Sequence, residues 1–97
     1  MAHRLAPEAR ADLVELWSYV GDERNIETAD RLVDSITARF LLLSRHPGVG
    51  RRRDDLRAGI HSFPVGNYVV LYRIEGDDVV IQRVVRGSRD LEALFRE

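Results

Sequence analysis

Apolar residues recur at helical spacing in two segments of the first half of the chain. They are Ala9, Leu13, Leu16, Trp17 and Val20 in the first segment, and Ala29, Leu32, Val33, Ile36, Phe40 and Leu43 in the second. This spacing places each set on one face of a helix. Gly21 and the polar residues 22–25 interrupt the pattern between the two segments. The pattern therefore predicts two amphipathic helices that form an antiparallel hairpin.

The apolar pattern changes from helical to extended in the second half. Pro47 disfavours helical backbone in the residue before it, so the second helix is predicted to end near Arg45 and His46. Three stretches, 60–63, 68–74 and 79–85, are rich in β-branched and aromatic side chains and are separated by short turns. They are predicted to form a three-stranded antiparallel meander, to which residues 3–6 add an edge strand. Grouped helices and strands indicate an α+β fold with the helices on one sheet face.

The predicted central strand is apolar on both faces. Val69 and Leu71 point to one face, whereas Val70, Tyr72 and Ile74 point to the other. One face packs against the helices, and the other needs a cover. The sequence favours the C-terminal residues 91–95 as that cover. The alternative is a partner protein that docks on an exposed apolar face.

The length of 97 residues corresponds to one small domain, and we treat residues 1–97 as that domain. A core of this size leaves no room for a large internal cavity, so function is expected at the surface. The chain has no cysteine, no stretch that resembles a signal peptide and no apolar run of membrane-spanning length. We therefore expect a cytoplasmic protein with no membrane partner.

Charge is distributed unevenly, although the formal net charge is only −1. Residues 1–44 carry eight acidic side chains and five arginines, whereas residues 45–97 carry eight acidic side chains and ten arginines. Every basic residue is an arginine, whose planar guanidinium makes forked contacts with carboxylates and phosphates. The small net charge argues against a simple polyanion-binding protein.

Arginines supply the candidate recognition residues of the second half. Arg51, Arg52 and Arg53 are predicted to lie in the loop after the second helix, where Asp54 and Asp55 neutralise part of their charge. Strict alternation places Arg83 on the strand face of Val79, Ile81 and Val85, and Arg86 on the opposite face. For Arg83 the sequence favours an ion pair with Asp90 or with a carboxylate of a helix, because an unpaired charge among apolar residues is costly.

Residues for acid–base or metal chemistry are few. His3, His46 and His61 lack the spacing of metal ligands, and no nucleophile triad or glycine-rich phosphate loop is present. We therefore predict no catalytic residue, no metal and no cofactor. What remains is arginine-assisted chemistry on phosphate, or binding without catalysis.

Four short motifs follow one another over nearly the whole chain. They are Leu5-x-Pro7-x-Ala9-x-x-Asp12-Leu13 with Trp17-x-Tyr19, then Pro47-x-x-Gly50-Arg51, then Tyr68-Val69-Val70-Leu71-Tyr72-Arg73, and finally Val84-Val85-Arg86-Gly87-Ser88-Arg89-Asp90-Leu91. In this order and spacing they resemble the ParE branch of the RelE/ParE toxins of bacterial type II toxin–antitoxin systems. The resemblance implies an edge strand, a helical hairpin and an antiparallel meander.

The resemblance also implies a plasmid or chromosome maintenance toxin that a cognate antitoxin neutralises. ParE-like toxins are associated with inhibition of DNA gyrase, whereas RelE-like relatives cleave mRNA on the ribosome. RelE-type cleavage uses a basic cluster, for which Arg51, Arg57, Arg73 and Arg83 are available, and a tyrosine or histidine near the C-terminal end. No tyrosine or histidine follows Tyr72, and Arg86 stands where many ParE relatives have histidine.

The favoured hypothesis is therefore a gyrase inhibitor that acts by protein binding and is not an enzyme. The alternatives are a ribosome-dependent mRNA endonuclease and a non-toxic module that binds antitoxin. No direct sequence-specific binding of nucleic acid is expected. The antitoxin is expected to be a ribbon-helix-helix protein with a disordered C-terminal tail. The predicted target-binding residues are Arg51, Arg52, Arg53, Arg57, Arg86 and Arg89, and the predicted antitoxin-binding residues are Val14, Trp17, Leu42, Val70, Tyr72 and Ile74.

Overall fold

Two long helices lie against one face of a five-stranded sheet in the computed structural model, which describes residues 2–96. In chain order the elements are β1 (His3–Leu5), α1 (Pro7–Glu23), α2 (Ile26–Arg45), β2 (Arg51–Arg52), β3 (Ile60–Val65), β4 (Tyr68–Glu75), β5 (Asp78–Arg86) and α3 (Leu91–Leu94). The predicted α+β class is confirmed, with the edge strand, hairpin and meander in the predicted order. Within residues 2–96, no helix combines the length and the apolar character needed to cross a membrane.

A short joint connects the two long helices. The sequence pattern predicted an interruption at Gly21, but α1 continues to Glu23. The side chain of Asn25 then accepts a hydrogen bond from the backbone N–H three residues later and caps α2. As predicted, α2 ends at Arg45, ahead of Pro47. The chain therefore reverses direction with only two residues between the helices.

The sheet has the strand order β1-β5-β4-β3-β2. The first strand, β1, runs parallel to β5, and all other neighbouring strands are antiparallel. Gly66 and Gly76 stand in the hairpin turns with φ of 58° and 62°. Glycine adopts positive φ without a steric penalty, which suits such tight turns. Because β1 pairs with β5, the N-terminal strand lies beside the last strand of the sheet.

The arginine-rich segment after α2 contains an edge strand that the sequence pattern did not predict. Arg51 and Arg52, which were expected in a loop with Arg53, pair with Ser62 and His61 of β3. Two consecutive charged residues show no alternation of apolar and polar positions, so periodicity cannot reveal such a strand. The arginines of β2 consequently lie at an edge of the sheet.

The main core lies between the two long helices and the sheet. Its buried members are Ala9, Leu16, Ile36, Phe40, Leu43, Val65, Val70, Tyr72, Val79, Ile81 and Val84. Val70 and Tyr72 are fully buried, so the prediction that they offer a surface to an antitoxin is wrong. The face of β4 that carries them is the face that packs against the helices. Ile74, near the end of the same strand, remains exposed.

The C-terminal helix covers the opposite face of the sheet. Ile60, Leu71 and Val85 form a second buried cluster, against which Leu91, Leu94, Phe95 and other partly buried apolar residues pack. The prediction that residues 91–95 cover this face is therefore confirmed. The apolar face opposite the long helices already has a cover from the same chain.

The last strand, β5, contains a bulge. At one point the pairing of β4 with β5 skips Gln82. One extra residue reverses the alternation of side chains beyond that point. Strict alternation predicted Val85 on the face of Val79 and Ile81, but Val84 joins their cluster and Val85 lies on the opposite face. The bulge therefore sets which residues at the end of β5 face α1.

Candidate functional site

An ion pair between the buried carboxylate of Asp12 and the partly buried guanidinium of Arg83 joins α1 to β5. The carboxylate of Asp12 accepts hydrogen bonds from Nε and Nη2 of Arg83 at 2.7 and 2.9 Å, and from the backbone N–H of Val84 at 2.9 Å. The hydrogen bond with Asp12 is the main reason that the pKa of Arg83 is raised above its ordinary value. This geometry confirms the prediction of a helix carboxylate as partner, and excludes Asp90 from that role. The Arg83 guanidinium is therefore occupied within the fold.

The hydroxyl of Tyr72 is also engaged inside the fold. It donates a hydrogen bond of 2.7 Å to the carbonyl of Pro47 and accepts one of 2.9 Å from the backbone N–H of Gly50. Burial raises the pKa of this phenol. The ring of His61 stacks on the Tyr72 ring, with 5.2 Å between the centroids. Tyr72 thus anchors the segment after α2, and its hydroxyl is not available as a general base.

The turn between β2 and β3 pairs two of the candidate arginines with local carboxylates. Arg52 contacts Asp54 at 2.8 Å, and Arg53 makes a forked contact with Asp55 at 3.1 and 3.0 Å. The neutralisation expected from the sequence is therefore present. A hydrogen bond from the backbone N–H of Gly59 is the main cause that lowers the pKa of Asp54, and the hydrogen bond from Arg53 lowers that of Asp55.

Arg57 and Arg51 border the face that α3 covers. The Arg57 guanidinium lies over the ring of Phe95, 5.1 Å from its centroid, so this arginine holds the C-terminal segment. The side chain of Arg51 is exposed and forms no hydrogen bond or ion pair within residues 2–96, although its charge acts on Asp55 at longer range. A surface groove runs from Arg51 and Arg53 at one end to Gly87 and Leu91 at the other. Of the arginines around β2, Arg51 is the one most available to a partner.

Arg86 and Arg89 lie at an open cleft between α1 and the end of β5. The cleft has a volume of about 410 Å³, and Tyr19, Tyr68 and Glu15 also line it. The Arg86 guanidinium lies 5.8 Å from the centroid of the Tyr19 ring, within the range of a cation–π contact. Neither arginine forms an ion pair within residues 2–96. The bulge in β5 places Val84 on the α1 side of the sheet at this cleft.

The predicted target-binding residues therefore form two groups. The first, Arg51, Arg52, Arg53 and Arg57, surrounds β2 and α3, and the second consists of Arg86 and Arg89. The groove that begins at Arg51 and Arg53 reaches Gly87, the residue next to Arg86. The structure thus brings the two groups to the two ends of one surface rather than into one cluster.

The predicted antitoxin-binding residues on the helices are exposed. Val14 and Trp17 lie on α1 with 62% and 39% of their surface exposed, and Leu42 lies on α2 with 37%. The indole N–H of Trp17 donates a hydrogen bond of 2.8 Å to Asp30 of α2, which fixes the ring across the hairpin. These three side chains, with Ile74 elsewhere, remain candidates, whereas Val70 and Tyr72 are excluded by burial.

Tyr19 and Glu15 are site residues that the sequence prediction missed. Glu15 follows Asp12 by three positions along α1 and Tyr19 follows it by seven, so both share the helix face that looks toward the end of β5. Helical spacing from Asp12 was the available signal. This spacing could not identify site residues from the sequence alone, because the Asp12–Arg83 pair in the structure is what shows which face of α1 meets β5.

The arrangement supports anion binding but not proton transfer. Four arginines line the two grooves, and three of them, Arg51, Arg86 and Arg89, form no ion pair within residues 2–96. The described part of the chain contains no cluster of histidine, aspartate and glutamate that could hold a metal ion. The one tyrosine that lies deep in the fold uses its hydroxyl for structural hydrogen bonds. Recognition of an acidic partner is the chemistry that these residues can perform.

Comparison with solved structures shows that the fold occurs in other proteins. The structure is similar to that of a chain in "Chromosomal ParDE TA system from P. aeruginosa", with a TM-score of 0.78 and 20% identity over 89% of this chain and 95% of the other. It is also similar to a chain in the toxin–antitoxin complex RelBE2 from Mycobacterium tuberculosis, with a TM-score of 0.66 and 32% identity over 88% and 95% of the two chains.

Sequence comparison leads to the same family. The chain is 38% identical over 82 residues to Toxin ParE3 of Caulobacter vibrioides, which covers 84% of this chain and 82% of the relative. It is also 38% identical over 81 residues to Toxin RelE3 of the same organism, covering 82% and 87% of the two chains. Residues 4–91 match the family model described as ParE toxin of type II toxin–antitoxin system, parDE. The chain therefore belongs to the ParE toxin family of type II toxin–antitoxin systems.

Proposed function

We propose that this ParE-family toxin inhibits DNA gyrase by binding to it and that a cognate antitoxin neutralises it. Membership of the ParE family supports the general class. The observation that carries the choice of a binding mechanism is the engagement of Tyr72, whose hydroxyl is bound to Pro47 and Gly50 inside the fold. No tyrosine or histidine follows it in the sequence. A ribonuclease of the RelE type needs such a group for proton transfer.

The state of the arginines supports the same choice. A phosphate-binding cluster for mRNA cleavage would draw on Arg51, Arg57, Arg73 and Arg83. Arg83 is paired with Asp12, Arg73 contacts Glu75 at 2.7 Å, and Arg57 lies over a phenylalanine ring. Of that set, Arg51 alone forms no such contact within residues 2–96. The free guanidinium groups are dispersed over a surface, which suits an acidic protein face better than one scissile phosphate.

The helical hairpin is the proposed docking surface for the antitoxin. Val14, Trp17 and Leu42 offer exposed apolar area on it. Relatives are described in a ParDE system and in a RelBE2 toxin–antitoxin complex, which supports an antitoxin as partner. We expect a ribbon-helix-helix protein whose disordered acidic tail also neutralises the free arginines. The tail would thereby compete with the target at Arg51, Arg86 and Arg89.

A supercoiling assay with purified gyrase tests the proposal directly. We expect the toxin to inhibit supercoiling and the product of the neighbouring gene to restore it. Pulse expression in bacteria should then produce filamentation and a DNA-damage response while transcripts stay intact. Rapid translation arrest with cleaved transcripts would contradict the proposal.

A matched pair of variants locates the target surface. Reversal of charge at Arg51 and Arg89, as R51E/R89E, is expected to reduce gyrase inhibition at least tenfold because two free cations are lost from the contact. The control R39E reverses an exposed arginine on α2, outside both grooves, and is expected to inhibit like the parent. The double variant R52E/R53E is also expected to weaken toxicity. Because it breaks the ion pairs of Arg52 with Asp54 and of Arg53 with Asp55 as well, its effect is less specific to a target contact. Full activity of R51E/R89E would remove these residues from the target surface.

The identity to Toxin RelE3 is the observation that keeps the endonuclease as a second candidate. The pulse-expression experiment distinguishes the endonuclease from the gyrase inhibitor, because only the endonuclease would cleave transcripts. Normal growth on strong induction would instead favour a non-toxic module that only binds antitoxin.

A further inference from the structure

The cleft between α1 and the end of β5 has the build of a small-molecule site. Its volume of about 410 Å³ falls within the ~300–1,000 Å³ typical of ligand pockets. Leu16 and Val84, on the sheet face that meets α1, supply the apolar floor, and the rim is polar. The gyrase and antitoxin proposals use the rim arginines, but neither explains an apolar recess behind them.

Two cations stand on one side of the cleft without a carboxylate partner. Arg86 is oriented by the Tyr19 ring, 5.8 Å from its centroid, and Arg89 follows three residues later beyond Ser88. Two guanidinium groups and a hydroxyl make a set of donors suited to a phosphate. The cation–π contact holds one of them in place before a ligand arrives.

An acceptor stands on α1, in the same cleft. The side chain of Glu15 forms no hydrogen bond or ion pair within residues 2–96 and acts on Arg83 only by charge at longer range, whereas its neighbour Asp12 is already bound by Arg83 and Val84. A free carboxylate accepts two adjacent N–H groups in a forked contact. The N1–H and the 2-amino group of guanine form such an adjacent pair. Tyr68 supplies an aromatic wall for a planar base.

We propose that this cleft binds a guanine nucleotide, with the phosphate at Arg86 and Arg89 and the base edge at Glu15. The apolar floor and Tyr68 contact the base. Such a ligand would cover Arg86 and Arg89, so its binding would compete with a partner at these two residues. The site itself does not depend on gyrase inhibition, because binding is measured on the purified toxin alone.

Isothermal titration of the toxin with four probes tests the proposal. GMP is expected to bind saturably with a Kd below ~1 mM. Inorganic phosphate lacks the base, and guanosine lacks the phosphate. Each is therefore expected to bind roughly tenfold more weakly than GMP or not at all. AMP presents an acceptor at N1 toward Glu15 and is expected to bind roughly tenfold more weakly than GMP.

Three variants assign the contacts. R86Q is expected to weaken GMP about tenfold because a charge-assisted contact is lost. E15A is expected to remove the preference for GMP over AMP while the requirement for phosphate persists. R39Q, which changes an exposed arginine away from the cleft, is the control and is expected to bind GMP like the parent. Circular dichroism checks that each variant is folded.

Several results would overturn the site. These are the absence of saturable GMP binding, GMP binding that R86Q leaves unchanged, and a preference for GMP that persists in E15A. Tighter binding of a guanine-free oligonucleotide than of GMP would also overturn it and would indicate a single-stranded nucleic acid instead. Because gyrase is absent from these measurements, their failure leaves the gyrase proposal to its own assay.

Discussion

At the scale of single residues, Gly50 occupies a position that no larger residue can fill. A Cβ added there would collide with the Tyr72 hydroxyl and would stand 2.9 Å from the carbonyl oxygen of Ser62. We expect G50A to lower the free energy of unfolding by about 1–3 kcal/mol, as overpacking usually does. Urea denaturation measures this. The control is G48A, where a Cβ meets nothing within 4 Å, and its unfolding should change by less than ~0.5 kcal/mol. Equal effects of the two substitutions would contradict the argument.

The Asp12–Arg83 pair is the residue-scale contact that fastens α1 to the sheet. The variant D12N removes the charge that Arg83 requires and weakens a buried hydrogen bond to Val84. We expect a loss of about 3 kcal/mol, the lower end for a broken buried pair, because the Arg83 side chain keeps 21% of its surface exposed. The matched control is E75Q, which weakens two ion pairs at the surface, one of 2.7 Å with Arg73 and one of 3.0 Å with Arg4. Its cost should stay below ~1 kcal/mol.

The buried phenol of Tyr72 makes the stability of the fold depend on pH. Because burial raises the pKa of its phenol, the folded state holds this proton above the usual pKa of about 10, where the unfolded chain releases it. The stabilisation is complete below pH ~10 and is lost as pH rises through the raised pKa. Stability of the parent should therefore fall in that alkaline range. Denaturation of Y72F should lack this component, and its ultraviolet absorbance titration should lack the corresponding step. Y72F should also be less stable at neutral pH by about 1–3 kcal/mol, because the Gly50 N–H and the Pro47 carbonyl lose their partner.

At the scale of elements, α3 acts as the cover of an apolar sheet face. Replacement of Leu94 and Phe95 by alanine removes two half-buried side chains from the cluster of Ile60, Leu71 and Val85. We expect a loss of about 2 kcal/mol, roughly half of what two fully buried side chains contribute. Dye binding to exposed apolar surface and sedimentation should show a newly exposed, self-associating face. The control changes the exposed positions Glu92 and Ala93 of the same helix, as E92Q/A93S, and should leave both measurements unchanged.

The elements differ in how far the sequence could predict them. The long helices and the meander follow from periodicity, because each buries a continuous apolar face. The edge strand at the N-terminus was expected, but its parallel pairing with β5 was not predicted. The strand β2 could not be predicted, since its pairing with β3 involves only the two charged residues Arg51 and Arg52. The bulge at Gln82 could not be predicted from the sequence either, because it arises from the pairing of β4 with β5. One skipped residue was enough to invert the predicted faces beyond it.

The candidate site shows the same limit. Its arginines were identified from charge alone, but their availability depends on which carboxylates the fold brings near. Arg83 lies 71 positions from its partner Asp12 in the sequence, and no local pattern reports such a pair. Val70 and Tyr72 were assigned to an open face because an apolar strand does not reveal which of its faces meets the helices. Tertiary structure decides both questions.

At the scale of the whole molecule, the proposed partners meet surfaces of different character. The helical hairpin offers exposed apolar side chains such as Val14 and Trp17, whereas Arg51 beside β2 and Arg86 and Arg89 at the cleft next to α1 offer guanidinium groups that form no ion pair within residues 2–96. Salt screens exposed charges over ~10 Å at about 0.1 M but barely affects apolar contacts. Binding to gyrase is therefore expected to be more sensitive to salt than binding to the hairpin by the antitoxin.

Surface plasmon resonance over a range of salt concentrations tests this difference. Between about 50 and about 300 mM NaCl, we expect the Kd for gyrase to rise roughly tenfold, because the arginines act through screened attraction. The Kd for the antitoxin is expected to rise less, and removal of its acidic tail should flatten its salt dependence further. The variant R51Q/R89Q should reduce the salt dependence for gyrase, whereas R39Q should preserve it. An equal salt dependence for R51Q/R89Q and for the parent would show that gyrase does not contact these arginines.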